Sequence, residues 1–134
     1  MSVVDASVLV DALVVAGPPG DAARTALRER TVLPVPAIFG AEVASALRAM
    51  VRHGAVDLRR AGAALAQLRT IRTIQYAFEP FADRVWRLRD NLTVYDAWYV
   101  ALAERLGLPL VTADERLLAS PGPECRVMHV TAAG

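Results

Sequence analysis

Apolar residues arrive in short bursts along this chain, and the spacing within the bursts alternates between strand-like and helix-like. Val3-Val4 is a brief apolar run ending at Asp5, and the stretch from Val8 to Val15 behind it reads as a buried turn of helix. Gly17-Pro18-Pro19-Gly20 then breaks the chain, Asp21 can cap a helix through about Arg30, and Val32 to Val35 predicts a short strand. Pro36 opens the next helix, in which Val43, Leu47, Met50 and Val51 form a core-facing stripe that ends at Gly54. A third helix is predicted from Asp57 to about Arg69. Thr73 to Phe78 is most simply a strand, and Phe81, Val85 and Leu88 keep helical spacing between Glu79 and about Asn91. Thr93 starts another helix, through Leu106, closed by Gly107. Leu108 to Thr112 predicts a strand, Glu115 to Leu118 a helical turn, and Val127 to Val130 a last strand.

Strands alternating with helices argue for an α/β fold with a central parallel sheet covered on both faces. At 134 residues the chain suits one domain, with residues 131–134 expected as a frayed tail. There is no internal repeat, low-complexity tract or linker.

A 54% hydrophobic composition and a mean hydropathy of +0.33 exclude a disordered chain, while charges interrupt the apolar runs too often for a membrane span. That apolar excess on a small chain suggests that some hydrophobic surface is covered by a partner or a second copy. Cys125 is the single cysteine, so no internal disulfide forms. The start lacks a secretory signal, and a cytoplasmic protein is expected. Cys125 lies in a Pro-Gly-Pro-Glu loop with no neighbouring His, and it reads as inert.

Four acids stand out. In open parallel sheets, chemistry collects at the carboxyl ends of the strands, where Asp5 and Asp114 fall. Neighbouring strands would set their carboxylates side by side, and like charges that close call for a cation. Each acid also has an ordinary role. Asp5 can cap the first helix, Asp114 can sit in the first turn behind a Thr112/Glu115 capping box, and Thr93 with Asp96 resembles such a box. Glu42 lies in mid-helix with no basic residue three or four positions away, so a solvent-facing position is its alternative. Together the four carboxylates suit Mg²⁺ or Mn²⁺, hard ions that take oxygen ligands and serve phosphodiester hydrolysis. Ser7 and Thr112 could orient the carboxylates around such an ion, or simply cap helices. Setting those four acids aside leaves 10 acidic against 15 basic residues, all arginine, a balance that suits a polyanionic substrate.

At this point the chain resembles the PIN domain family, and within it the VapC-type toxins of toxin-antitoxin modules. The resemblance rests on Val3-Val4-Asp5-Ala6-Ser7-Val8-Leu9-Val10, on Glu42-Val43-Ala44-Ser45-Ala46-Leu47, on Thr93-Val94-Tyr95-Asp96-Ala97-Trp98-Tyr99 with the Val-Ala-Leu-Ala that follows, and on Leu110-Val111-Thr112-Ala113-Asp114. It implies a sheet in the order 3-2-1-4-5 and a Mg²⁺- or Mn²⁺-dependent endoribonuclease. It further implies a homodimer and inhibition by a cognate VapB-type antitoxin. By the same resemblance Asp5, Asp96 and Asp114 are metal ligands, and Glu42 holds a second metal or orients the attacking water.

Other readings fare less well. A catalytically silent PIN-like module that binds RNA or protein is the leading rival, since fold alone does not imply chemistry. A haloacid-dehalogenase phosphatase would need an aspartate at the position Ser7 holds, and Gly17-Pro18-Pro19-Gly20 lacks the GK[ST] ending of a nucleotide-binding loop. Trp86, Trp98 and Tyr99 are expected in the core, and His53 and His129 show no ligand spacing. Arg48, Arg52, Arg84 and Arg87 are expected to be solvated.

Overall fold

A computed structural model describes residues 1–133. Its elements are β1 (Val3–Val4), α1 (Ala6–Val14), α2 (Pro18–Arg28), β2 (Leu33–Pro36), α3 (Phe39–Arg52), α4 (Leu58–Leu68) and β3 (Thr73–Tyr76). A 3₁₀ turn at Glu79–Phe81 leads into α5 (Ala82–Arg87), α6 (Val94–Leu106), β4 (Leu110–Thr112), α7 (Glu115–Ala119), β5 (Val127–His129) and α8 (Val130–Ala133). Every strand pairing is parallel, as the alternation of elements requires.

The strand order is 1-4-5 in one ladder and 3-2 in another, so the expected neighbours hold except at the junction of β1 with β2. Those two strands pack against each other without pairing. The reason lies in Leu33-Pro34-Val35-Pro36. Leu33 and Ala37 donate their N–H groups to Arg72 and Tyr76 of the β3 side. Alternation turns Pro34 and Pro36 toward the other edge, and proline has no N–H to give. β1, meanwhile, spends the N–H groups of Val3 and Asp5 on Pro109 and Val111.

Three further expectations change. Gly17-Pro18-Pro19-Gly20 does not merely break the chain: Pro18 starts α2, where its fixed φ and missing N–H cost nothing. Pro36 closes β2 instead of opening α3. The tail expected at residues 131–134 is helical as far as it is described, as part of α8, and residue 134 lies outside the described residues.

Helix α6 runs through the middle of the core, with Ala97, Trp98, Tyr99, Val100, Ala101, Leu102 and Ala103 buried in succession. A helix apolar all round must be covered all round. It is therefore a rigid mount for whatever its first turn carries, and Asp96 lies in that turn. Trp86 departs from the expected core position and is 64% exposed, its ring under the Arg89 guanidinium. Among the described residues no single helix is long and apolar enough to cross a membrane.

Candidate active site

Asp5 follows β1 directly and is buried at 6% exposure. One carboxylate oxygen, Oδ1, accepts from the backbone N–H groups of Ser7 at 3.1 Å and Val8 at 3.4 Å, and from the Ser7 hydroxyl. Its Oδ2 accepts from the Thr112 hydroxyl, at the end of the neighbouring strand β4. Asp5 thus caps α1 and joins the strand-end cluster at once, so the two roles weighed for it are compatible. Burial pushes its carboxyl up to about 6, against the opposing hydrogen bonds of Ser7, Thr112 and Val8, and the charge of Asp96 adds to the rise.

Ser7 and Thr112 tie this acid to the next. The Ser7 hydroxyl accepts from Ala113 N at 3.1 Å, and Thr112 Oγ1 accepts from Asp114 N at 3.0 Å. Asp114 itself caps α7, its Oδ1 accepting from Arg116 N at 2.9 Å, so it takes the cap position that Thr112 was also suited to. The Arg116 guanidinium lies 3.7 Å from the same oxygen but is 95% exposed, and such a pair contributes little. Thr112, fully buried, is the joint between two acids. Replacing Thr112 with valine keeps the shape and deletes the bridging hydroxyl, so chemical denaturation is expected to show a loss of roughly 1–3 kcal/mol.

Glu42 sits in the first turn of α3 and is half-buried, not solvent-facing. Its Oε1 accepts from the Tyr99 hydroxyl at 2.7 Å. Burial raises its carboxyl above the usual range, the Tyr99 hydrogen bond opposes this, and the charges of Asp96 and Asp5 raise it further. The Asp96 backbone N–H donates to the capping Thr93 Oγ1 at 3.1 Å. The Asp96 carboxyl is likewise raised, by burial first and then, against the Thr93 hydrogen bond, by the charge of Asp114. Asp5 and Asp114 thus follow the neighbouring strands β1 and β4. Glu42 and Asp96, in the first turns of α3 and α6, are close enough for charge to act between Asp5 and Asp96, Glu42 and Asp96, Glu42 and Asp5, and Asp96 and Asp114. A cleft of about 520 Å³ opens beside Glu42, lined also by Ser45 and Tyr95.

Among the described residues no three acidic, histidine or cysteine side chains close into a cage for a metal ion. The donors still fit a hard cation that keeps much of its water shell and needs only one or two direct carboxylates, as Mg²⁺ does. Sequence reasoning placed Tyr99 in the core and missed its contact with Glu42. The available signal was its position three residues after Asp96, on the same face of α6. Burial also holds the Tyr99 hydroxyl well above the usual phenol range, so it stays protonated and donates. Arg84, expected to be solvated, is instead half-buried and bonded to Glu104 at 2.7 Å and to Gly122 O at 3.0 Å, because Glu104 of α6 faces it.

A family model described as PIN domain matches residues 2–121. Ribonuclease VapC1 of Mycobacterium tuberculosis is 40% identical over 129 residues, which cover 96% of this chain and 96% of that protein. Ribonuclease VapC3 of the same organism is 44% identical over 115 residues, covering 86% and 83%. Among solved structures, PAE2754 from Pyrobaculum aerophilum superposes with a TM-score of 0.71 at 28% identity, over 98% of this chain and 84% of its own.

Proposed function

Because the chain belongs to the PIN domain family, we propose that it is a Mg²⁺- or Mn²⁺-dependent endoribonuclease, the toxin of a type II toxin-antitoxin pair. The observation that carries this reading is the linkage of Asp5 and Asp114 through Thr112 at the ends of β1 and β4, with Asp5, Glu42 and Asp96 each raised by burial and by neighbouring negative charge. Such crowding is costly without a cation, and sites of this kind are where function concentrates.

Asp5, Asp96 and Asp114 would hold the metal, directly or through water, and Glu42 would hold a second ion or orient the attacking water. Ser7 and Thr112 fix the Asp5 carboxylate by hydrogen bonds to its two oxygens. Bound metal supplies activation of the water and neutralisation of charge on the phosphodiester. In-line hydrolysis then leaves a 5′-phosphate. The protein works as one PIN-like domain in the cytoplasm, as a homodimer restrained by a VapB-type antitoxin. Apolar surface supports such partners: Leu58 and Leu65 are exposed beside a cleft of about 430 Å³ between α3 and α4.

Incubation of end-labelled total RNA with the purified protein and Mn²⁺, with EDTA, and with Asp96→Asn tests the reading. Discrete cuts that need Mn²⁺ and vanish in the variant are expected. No cutting by folded, antitoxin-free protein would favour the catalytically silent module, and equal cutting by the variant would mean a contaminating nuclease.

A further inference from the structure

Glu42 has a partner that its own helix does not supply. The Tyr99 hydroxyl reaches it from α6 at 2.7 Å, across 57 residues of sequence. Tyr99 is 1% exposed, and a buried phenol needs an acceptor. Glu42 in turn takes part in no ion pair among the described residues. Asp96 and Tyr99 are three apart on α6, so the helix that presents one acid of the cluster also carries the donor for another.

We infer that Tyr99 is a positioning residue: it holds Oε1 of Glu42, leaves Oε2 available to a divalent cation, and joins α3 and α6 into one ligand-bearing unit. This rests on the metal-dependent reading above. Losing a hydrogen bond behind a metal ligand typically costs 10–100-fold in metal affinity. A role confined to packing would cost stability and leave affinity alone.

Calorimetric titration of metal-stripped protein with MnCl₂ tests the role in wild type, Tyr99→Phe, Glu42→Gln and the double variant, each verified as folded by circular dichroism. Tyr99→Phe is expected to weaken Mn²⁺ binding by roughly 10–100-fold. The double variant should bind no more weakly than Glu42→Gln alone, because the hydroxyl acts only through that carboxylate. Wild-type affinity in a Tyr99→Phe protein that merely melts lower, or losses that add in the double variant, would overturn the role. If Tyr99→Phe fails to fold, Glu42→Asp shortens the acid away from the hydroxyl and is expected to weaken binding similarly; undiminished affinity there would also overturn it. Absence of Mn²⁺ binding by wild type would instead sink the metal-dependent reading, and this role with it.

Discussion

Asp5→Asn is expected to lower metal-dependent RNA cleavage by more than about 100-fold while making the metal-free protein more stable at neutral pH. The first effect follows from removing one of the proposed metal ligands, since even groups behind metal ligands are worth about 10–100-fold. The second follows from linkage. The Asp5 carboxyl is pushed up to about 6 in the folded protein, from 3.8. The folded state therefore binds the proton more tightly than the unfolded state, so stability is greatest below the unfolded value and declines as pH rises through the folded one. Above pH ~6 the ionised carboxylate costs on the order of 3 kcal/mol.

Asparagine carries no charge at any pH and keeps an oxygen for the Ser7 and Val8 N–H groups. Its amide, however, faces a Thr112 hydroxyl that has lost its acceptor, which offsets part of the gain. Urea denaturation in EDTA should show the variant ahead by about 1–3 kcal/mol at pH 7.5 and level with wild type near pH 4. A wild-type stability that stays flat between those pH values would contradict the burial cost. Glu42 and Asp96 are raised by the same causes and push in the same direction. A site that is unstable when empty and needed when filled is the usual trade between stability and activity.

Gly20→Ala is expected to lower the melting temperature by on the order of 10 °C. A Cβ at this position would stand 1.8 Å from the Val15 carbonyl oxygen and 2.7 Å from its carbon, both backbone atoms that no rotamer change can move. The same corner is closed by Arg24, which donates to Ala12 O at 3.1 Å and Val15 O at 3.0 Å. Relieving the clash means parting α1 from α2, and α1 is the helix that Asp5 caps. Gly62→Ala is the control: nothing lies within 4 Å of its new Cβ, and a mid-helix alanine is worth roughly 0.5–1 kcal/mol of added stability. Thermal melts of both variants separate steric clash from helix propensity. A Gly20→Ala protein that melts with wild type would refute the close approach of the two helices.

Much of this was legible in residue order. The Val3-Val4 and Leu110-Val111-Thr112 runs, each followed by an acid, placed Asp5 and Asp114 at strand ends, because parallel connection aims every such end at one edge. The caps at Asp57, Thr93 and Gly107 bounded α4 and α6, since a side-chain acceptor or a glycine in the left-handed region acts locally. The proline pattern of β2 also held the answer to the missing β1–β2 ladder. Reading it required knowing which edge of β2 faces which neighbour.

What the sequence by itself determined was therefore local and periodic: the order and type of the elements from β1 to β5, and the positions of Asp5 and Asp114 behind parallel strands. Only the tertiary structure decided the pairings among residues far apart along the chain. It set the Thr112 hydroxyl between Asp5 and Asp114, brought Tyr99 to Glu42, and left Trp86 outside the core while Trp98 went in. Helix and strand periods follow from interactions a few residues long, whereas burial and carboxylate ionisation depend on every element packed around a group.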